Sequence, residues 1–208
     1  MTESYSGNAC EQMPPLETRE SVPQSGREAI SHFPAGALLE TQLLRCEDVL
    51  LSGWVGLGRP HTSADDLIGV LLPGDRLGAV LDSHLCCAVA LTPVSVAPED
   101  YRTDEAREFR HLIRQCVRTC HFSAWDRIED FFLETYERLE AVELASDWTF
   151  DLPLSQATIA RILGLSTAHV NRIIHQLRAQ HHIKIAGRAI TLLTHNALGS
   201  LPMESCVI

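Results

Sequence analysis

The run LSQATIARILGLSTAHVNRIIHQLRAQHHI, residues 154–183, constrains this chain more than any other part of it. Ser155 can cap a helix that runs to Leu163, with Ile159, Ile162 and Leu163 as its apolar positions. Gly164 ends that helix, because glycine enters the left-handed region at little cost. Ser166 can then cap a second helix, on which Val170, Ile173, Ile174 and Leu177 fall on one stripe. The opposite face carries Ala168, Asn171, Arg172, His175 and Arg178. Two amphipathic helices joined by so short a turn must cross steeply and bury their stripes together, which predicts a helix-turn-helix. After it, Ile183 to Leu192 reads as a hairpin with a tight turn at Gly187, a wing on that motif.

The polar face has the chemistry of a double-stranded DNA reader. Arg172 can donate two hydrogen bonds to guanine, and Asn171 can bond both ways to adenine. Ser155, Gln156, Ser166, Thr167 and His169 lie around the helix starts, where hydroxyls, amides and backbone N–H groups suit phosphate oxygens, and His175 on the outward face is a further phosphate candidate. Lys184 and Arg188 place positive charge on the wing. The charge of the whole chain, −10, conceals a division. Residues 1–149 hold 12 arginines against 25 acidic residues, whereas residues 150–208 hold five basic against two acidic ones. A basic module on an acidic body is the electrostatic footprint of a nucleic-acid reader.

Upstream the pattern changes twice. Residues 1–26, rich in Pro, Ser and Glu without hydrophobic period, are expected to be a disordered arm. From 27 to 102, short apolar runs alternate with turn signals such as Pro34-Ala35-Gly36, Ser52-Gly53 and Pro73-Gly74-Asp75, which predicts a small antiparallel barrel or sandwich. Over 103–121, Phe109, Leu112, Ile113, Cys116, Val117 and Cys120 recur at helical spacing, an apolar stripe suited to a two-fold helical seam. Residues 122–147 read as a further helix and linker, with Ser123 as N-cap and Ile128, Phe131, Phe132, Thr135 and Leu139 inward; Ser146–Pro153 breaks the helical pattern. Residues 148–200 form the winged helix-turn-helix and 201–208 a tail. The fold class is therefore α+β.

These residues resemble the Crp/Fnr family of transcription regulators over about 29–200. The strongest match is LPLSQATIARILGLSTAHVNRIIHQLR with its wing, and within it His169-Val170-Asn171-Arg172. Phe33-Pro34-Ala35-Gly36, Leu51-Ser52-Gly53-Trp54-Val55 and Leu72-Pro73-Gly74-Asp75 look like the family's sensor barrel. The resemblance implies a cyclic-nucleotide-binding-like β-roll, a long dimerisation helix and a homodimer on a near-palindromic operator. It places Ala168, Asn171 and Arg172 at bases, and Ser155, Ser166 and His169 at phosphates. The position of Ala168 is Glu or Gln in many members; alanine offers only a methyl group. Cyclic-nucleotide-binding members carry Gly-Glu and then Arg-Ser/Thr after the Pro-Gly-Asp turn. Here Gly78 is followed by Ala79-Val80-Leu81, and no Lys or Arg occurs between Arg76 and Arg102. A buried phosphate without a cation is costly, so no cyclic nucleotide is expected. The iron–sulfur members have clustered N-terminal cysteines, whereas this arm has Cys10 alone.

No cofactor and no metal site is expected. Cys116 and Cys120, at i, i+4 beside His121, are the thiols that a two-fold dimer could gather for a metal or a disulfide, although on an apolar stripe free cysteine behaves as a small hydrophobe. No phosphate-cradling loop or nucleophile–base arrangement suggests an enzyme. The N-terminus lacks the features of a secretory signal and no apolar stretch is long enough for a membrane span, so a cytoplasmic protein is expected. RNA polymerase is a further partner that the acidic barrel could contact. The alternative reading is a metal-, haem- or redox-responsive sensor that acts through protein contacts and carries a vestigial helix-turn-helix.

Overall fold

A computed structural model describes residues 30–39, 48–59, 67–77, 86–98 and 105–194. The arm, the tail and the segment 78–85 lie outside the described residues. The N-terminal part is built from β1 (Ser31–Phe33), β2 (Leu38–Leu39), β3 (Asp48–Ser52), β4 (Val55–Gly58), β5 (Leu67–Leu71), β6 (Cys87–Ala90) and β7 (Val94–Pro98). They form two antiparallel sheets, ordered β1-β7-β3 and β2-β6-β4-β5. Leu50, Val55, Leu71, Leu77, Ala88, Val94 and Val96 fill the space between them. The expected turn at Pro73-Gly74-Asp75 is a fixed corner. Gly74 takes φ +90°, its N–H donates to the Leu50 carbonyl at 2.8 Å, and the Asp75 carboxylate accepts from the Leu72 N–H at 2.6 Å.

Two long helices follow, α1 (Glu105–His121) and α2 (Ala124–Glu140). Ser123 separates them and caps α2 by accepting from the Asp126 N–H. The five positions expected to point inward from α2 (Ile128, Phe131, Phe132, Thr135 and Leu139) are all buried. Helix α2 is more than a connection. One continuous apolar core runs from Trp54, Leu67, Leu72 and Val89 of the barrel, through α2, to Ile159, Val170 and Leu177 of the C-terminal module.

Helix α1 is turned the other way from an ordinary amphipathic helix. Its apolar stripe faces outward: Phe109 is 63% exposed, and Leu112, Ile113 and Val117 are exposed too. The side packed on α2 is polar, and Arg118 is only 4% exposed. Arg118 Nε donates to Asp130 at 2.6 Å and another guanidinium nitrogen bonds Glu134. Arg114 Nε donates to Asp130 at 2.9 Å and its Nη1 to Glu137 at 2.5 Å. His111 Nδ1 lies 3.0 Å from Glu134, and Arg138 joins Glu134 at 3.8 Å and also pairs with Asp75 of the barrel turn. Burial alone would raise the Glu134 carboxyl; the His111 hydrogen bond and the charges of Arg118 and Arg138 outweigh it and hold it at about 2. The Arg114 guanidinium loses by desolvation but is held above its ordinary range by Asp130 and Glu137.

Between Ser146 and Pro153 the expected linker contains a strand, β8 (Thr149–Asp151). It pairs with the wing, Ile190 opposite Phe150, because Phe150 is a core side chain. Three residues are too few to display a strand period in sequence.

Removing one partner of a buried ion network leaves the others uncompensated. Glu134→Gln is therefore expected to lower stability by about 3 kcal/mol at pH 7. The carboxyl is depressed from 4.5 to about 2 on folding, so its contribution is complete above the unfolded value and lost as pH falls toward the folded one. Urea unfolding at neutral pH and at pH values across that window checks both points: the gap between wild type and variant should narrow on acidification, and equal stabilities at pH 7 would contradict the role given to Glu134.

Candidate nucleic-acid interface

The C-terminal module consists of α3 (Gln156–Ile162), α4 (Thr167–Ala179), β9 (Ile183–Ala186) and β10 (Ala189–Leu192), with the sheet ordered β8-β10-β9. Both predicted caps are formed. Ser155 accepts from the Thr158 N–H at 3.1 Å and Ser166 from the His169 N–H at 3.2 Å. Gly164 takes φ +64° and turns the chain between the helices. Val170, Ile173, Ile174 and Leu177 are buried against α2, α3 and the wing. The remaining face of α4 is thereby fixed toward solvent.

On that face Thr167, Ala168, Asn171, Arg172 and His175 are exposed, while His169 is half-buried. Arg172 makes no hydrogen bond or ion pair to any described residue. Asn171 does: its Nδ2 donates to Gln156 Oε1 at 2.9 Å, tying the start of α3 to the middle of α4. Two residues assigned to DNA in the sequence thus meet each other in the free chain. Lys184 is exposed on the wing. Arg188 is exposed as well, and its Nη2 pairs with Asp151 at 2.7 Å. An ion pair so exposed contributes little and can yield to a phosphate.

Two contacts that sequence reasoning missed hold the module on α2. Arg127 Nη1 donates to the Leu163 carbonyl at 3.3 Å, satisfying the end of α3. His182 is half-buried. Its Nδ1 lies 2.6 Å from Glu129, and its ring packs edge-on to Trp125 at 5.5 Å. These partners are far apart in the chain, and no local pattern marks them. The six residues of the α1 stripe, Cys116 and Cys120 included, are exposed together on one outward face. Among the described residues no three potential metal ligands cluster, and no helix is long and apolar enough to cross a membrane.

A capped helix pair with a free polar face, backed by a wing and mounted on a β-roll and two helices, defines a winged helix-turn-helix DNA-binding protein with a separate barrel. Residues 126–201 match the model of the Crp-like helix-turn-helix domain. No curated protein sequence matches the chain. Solved structures do. FixK2 from Bradyrhizobium japonicum is 23% identical with a TM-score of 0.62, over 83% of this chain and 96% of that one. TTHB099, a Crp-family transcriptional regulator from Thermus thermophilus, is 18% identical with a TM-score of 0.57, over 81% and 94%. A CooA mutant from Carboxydothermus hydrogenoformans is 13% identical with a TM-score of 0.53, over 82% and 86%. Residues 126–201 thus carry a Crp-like helix-turn-helix domain, and the chain shares over most of its length the fold of these regulators.

The Ser166 cap sets the entry of α4. Ser166→Ala should lower stability by about 1 kcal/mol in urea unfolding. An unchanged midpoint would mean that the cap adds nothing to this turn.

Proposed function

We propose that the protein binds DNA as a homodimer and reads a near-palindromic operator with α4. The observation that carries this reading is the outward face of α4, where Arg172 is exposed and without a partner among the described residues. Arg172 and Asn171 would meet base edges, with Asn171 released from Gln156, and Ala168 would offer a methyl group, as thymine accepts. Ser155, Gln156, Ser166, Thr167, His169 and His175 would lie at the phosphates, where two helix starts add their N–H groups. Lys184 and Arg188 would bind the backbone beside the groove, Arg188 exchanging Asp151 for a phosphate.

The outward stripe of α1 supports the dimer. Phe109, Leu112, Ile113, Cys116, Val117 and Cys120 form a contiguous apolar face on the chain by itself, and a second copy of the same helix buries it in a parallel seam. Two recognition helices would then lie about 34 Å apart, one turn of DNA. The barrel is not read as a cyclic-nucleotide site, since no cation lies in the sequence between Arg76 and Arg102 to hold the phosphate.

Selection of bound DNA from a random pool tests the reading; a near-palindrome is expected, and no enriched motif would oppose it. On the selected operator, Arg172→Ala should cost about 1–3 kcal/mol and relax specificity at one base pair. Binding equal to wild type would remove Arg172 from the reading face. Ile113→Asp should give monomers by light scattering, and dimers that persist would put the interface elsewhere.

A further inference from the structure

The end of α4 is tied to α2 by one contact between side chains far apart in the chain. Helix α4 closes at Gln180, and His181 after it takes φ +58°, a left-handed conformation in which glycine or asparagine is usual. The next residue is fixed on both sides. The His182 N–H donates to the Leu177 carbonyl at 2.9 Å, and the His182 carbonyl accepts from the Leu193 N–H at 2.8 Å. The imidazole is thereby anchored to both α4 and β10, and it meets α2. There Trp125 and Glu129 lie one turn apart on the same face. Glu129 is 8% exposed, and its Oε1 lies 2.6 Å from His182 Nδ1. The Trp125 ring stands at 89° to the imidazole with centroids 5.5 Å apart. A carboxylate removed from water is costly without a partner, and a left-handed conformation is costly for a residue other than glycine. Both costs are accepted at the same contact.

We infer that Trp125, Glu129 and His182 are positioning residues that set the angle of α4 to α2, and through it the one half-site spacing that a dimer accepts. The apolar stripe of α4 holds the helix down, but burial is non-directional, whereas a hydrogen bond requires alignment. A second tie completes the arrangement: Arg127 of α2 donates to the Leu163 carbonyl. About one tie the module could pivot; two ties, at the ends of α3 and α4, fix its direction. Duplex DNA converts that angle into a spacing. Moving one half-site by one base pair shifts it by about 3.4 Å along the axis and rotates it by about 34°. Two recognition helices held rigidly cannot follow such a shift, whereas helices on a loosened joint can. The spacing rests on the operator reading above; the fixed angle does not.

Two measurements on the full chain test this. The first uses the selected operator and two versions of it, with one base pair inserted or removed between the half-sites. For wild type each change should weaken binding at least about tenfold, or about 1.4 kcal/mol. For Glu129→Ala the loss should shrink to about threefold or less. Glu129→Gln keeps an oxygen that can accept the His182 N–H, and should restore the wild-type ratios. Trp125→Leu leaves the carboxylate paired and should shift the ratios in the same direction as Glu129→Ala. A contact that only stabilised the fold would lower affinity for all three operators alike. Unchanged ratios in both Glu129→Ala and Trp125→Leu, or a wild type that accepts all three spacings, would overturn the spacing role. The second measurement uses residual dipolar couplings without DNA. In wild type one alignment should describe the amides of α2 and α4 together. In Glu129→Ala the couplings of α4 should shrink relative to those of α2, while circular dichroism and elution volume stay as in wild type. Couplings that keep the wild-type proportion would overturn the fixed angle, whatever the DNA result. A wild-type selection with no enriched motif would instead overturn the operator reading and the spacing with it, and the couplings would still decide the angle.

Discussion

The rest of the structure depends on the ion network between α1 and α2. Arg114 and Arg118 on one helix face Asp130 and Glu134 on the other, and Arg138 extends the pairing to Asp75 in the barrel turn. Networks of this kind add little net stability compared with apolar packing, but they are costly to break and demand one geometry. Here that geometry has a consequence for α1. Because its polar side is satisfied inward, its apolar side has to face out. An apolar contact between α1 and α2 would have consumed the stripe that a second copy can cover.

Helix α2 carries the mechanical side of the same arrangement. One face holds the ion network; the other belongs to the core shared by the barrel and the DNA-binding module. Arg127 fastens the end of α3, and Glu129 fastens His182 just beyond α4. Helix α4 is therefore connected to the barrel through packed side chains and charge-assisted hydrogen bonds along a single helix. Interiors packed in this way shift between discrete arrangements more readily than they deform continuously. A change at the barrel corner, where Arg138 meets Asp75, has a direct physical route to the position of α4.

The parts of the fold that could be read in the sequence are those whose determinants are local. Ser155 and Ser166 bond N–H groups three residues on, Gly164 turns the chain by itself, and the buried stripe of α4 repeats every three or four residues. The barrel was legible through its corners, Gly53 and Gly74 above all. The ion network was not: Arg118 and Asp130 are 12 residues apart, and Arg138 and Asp75 are 63 apart. Arginines on a helix are taken as solvated in the absence of a known neighbour, so that the inward face of α1 could not be told from its sequence. The same distance hid His182, whose partner Glu129 lies 53 residues upstream. Strand β8 was missed for a different reason, since it is too short to carry a period and depends on Phe150 finding the wing.

The candidate site was legible as a set of residues but not in its resting state. Asn171 and Arg188 have partners in the free chain and are held by Gln156 and Asp151. Both contacts are exposed, so each is replaced at small cost by a better partner, and each holds its side chain near the DNA-facing surface meanwhile. Less rotamer freedom is then lost on binding than a fully solvated Asn or Arg would lose. Arg172 has no such restraint among the described residues. In the proposed complex the largest ordering cost would thus fall on Arg172, whose base contact would be a bidentate pairing with guanine. On the proposed reading, an unrestrained arginine would gain its full return only where that guanine is present, while the pre-held Arg188 would bind the backbone at any sequence. Asn171, held by Gln156 and proposed for adenine, would then add discrimination at a smaller ordering cost than Arg172.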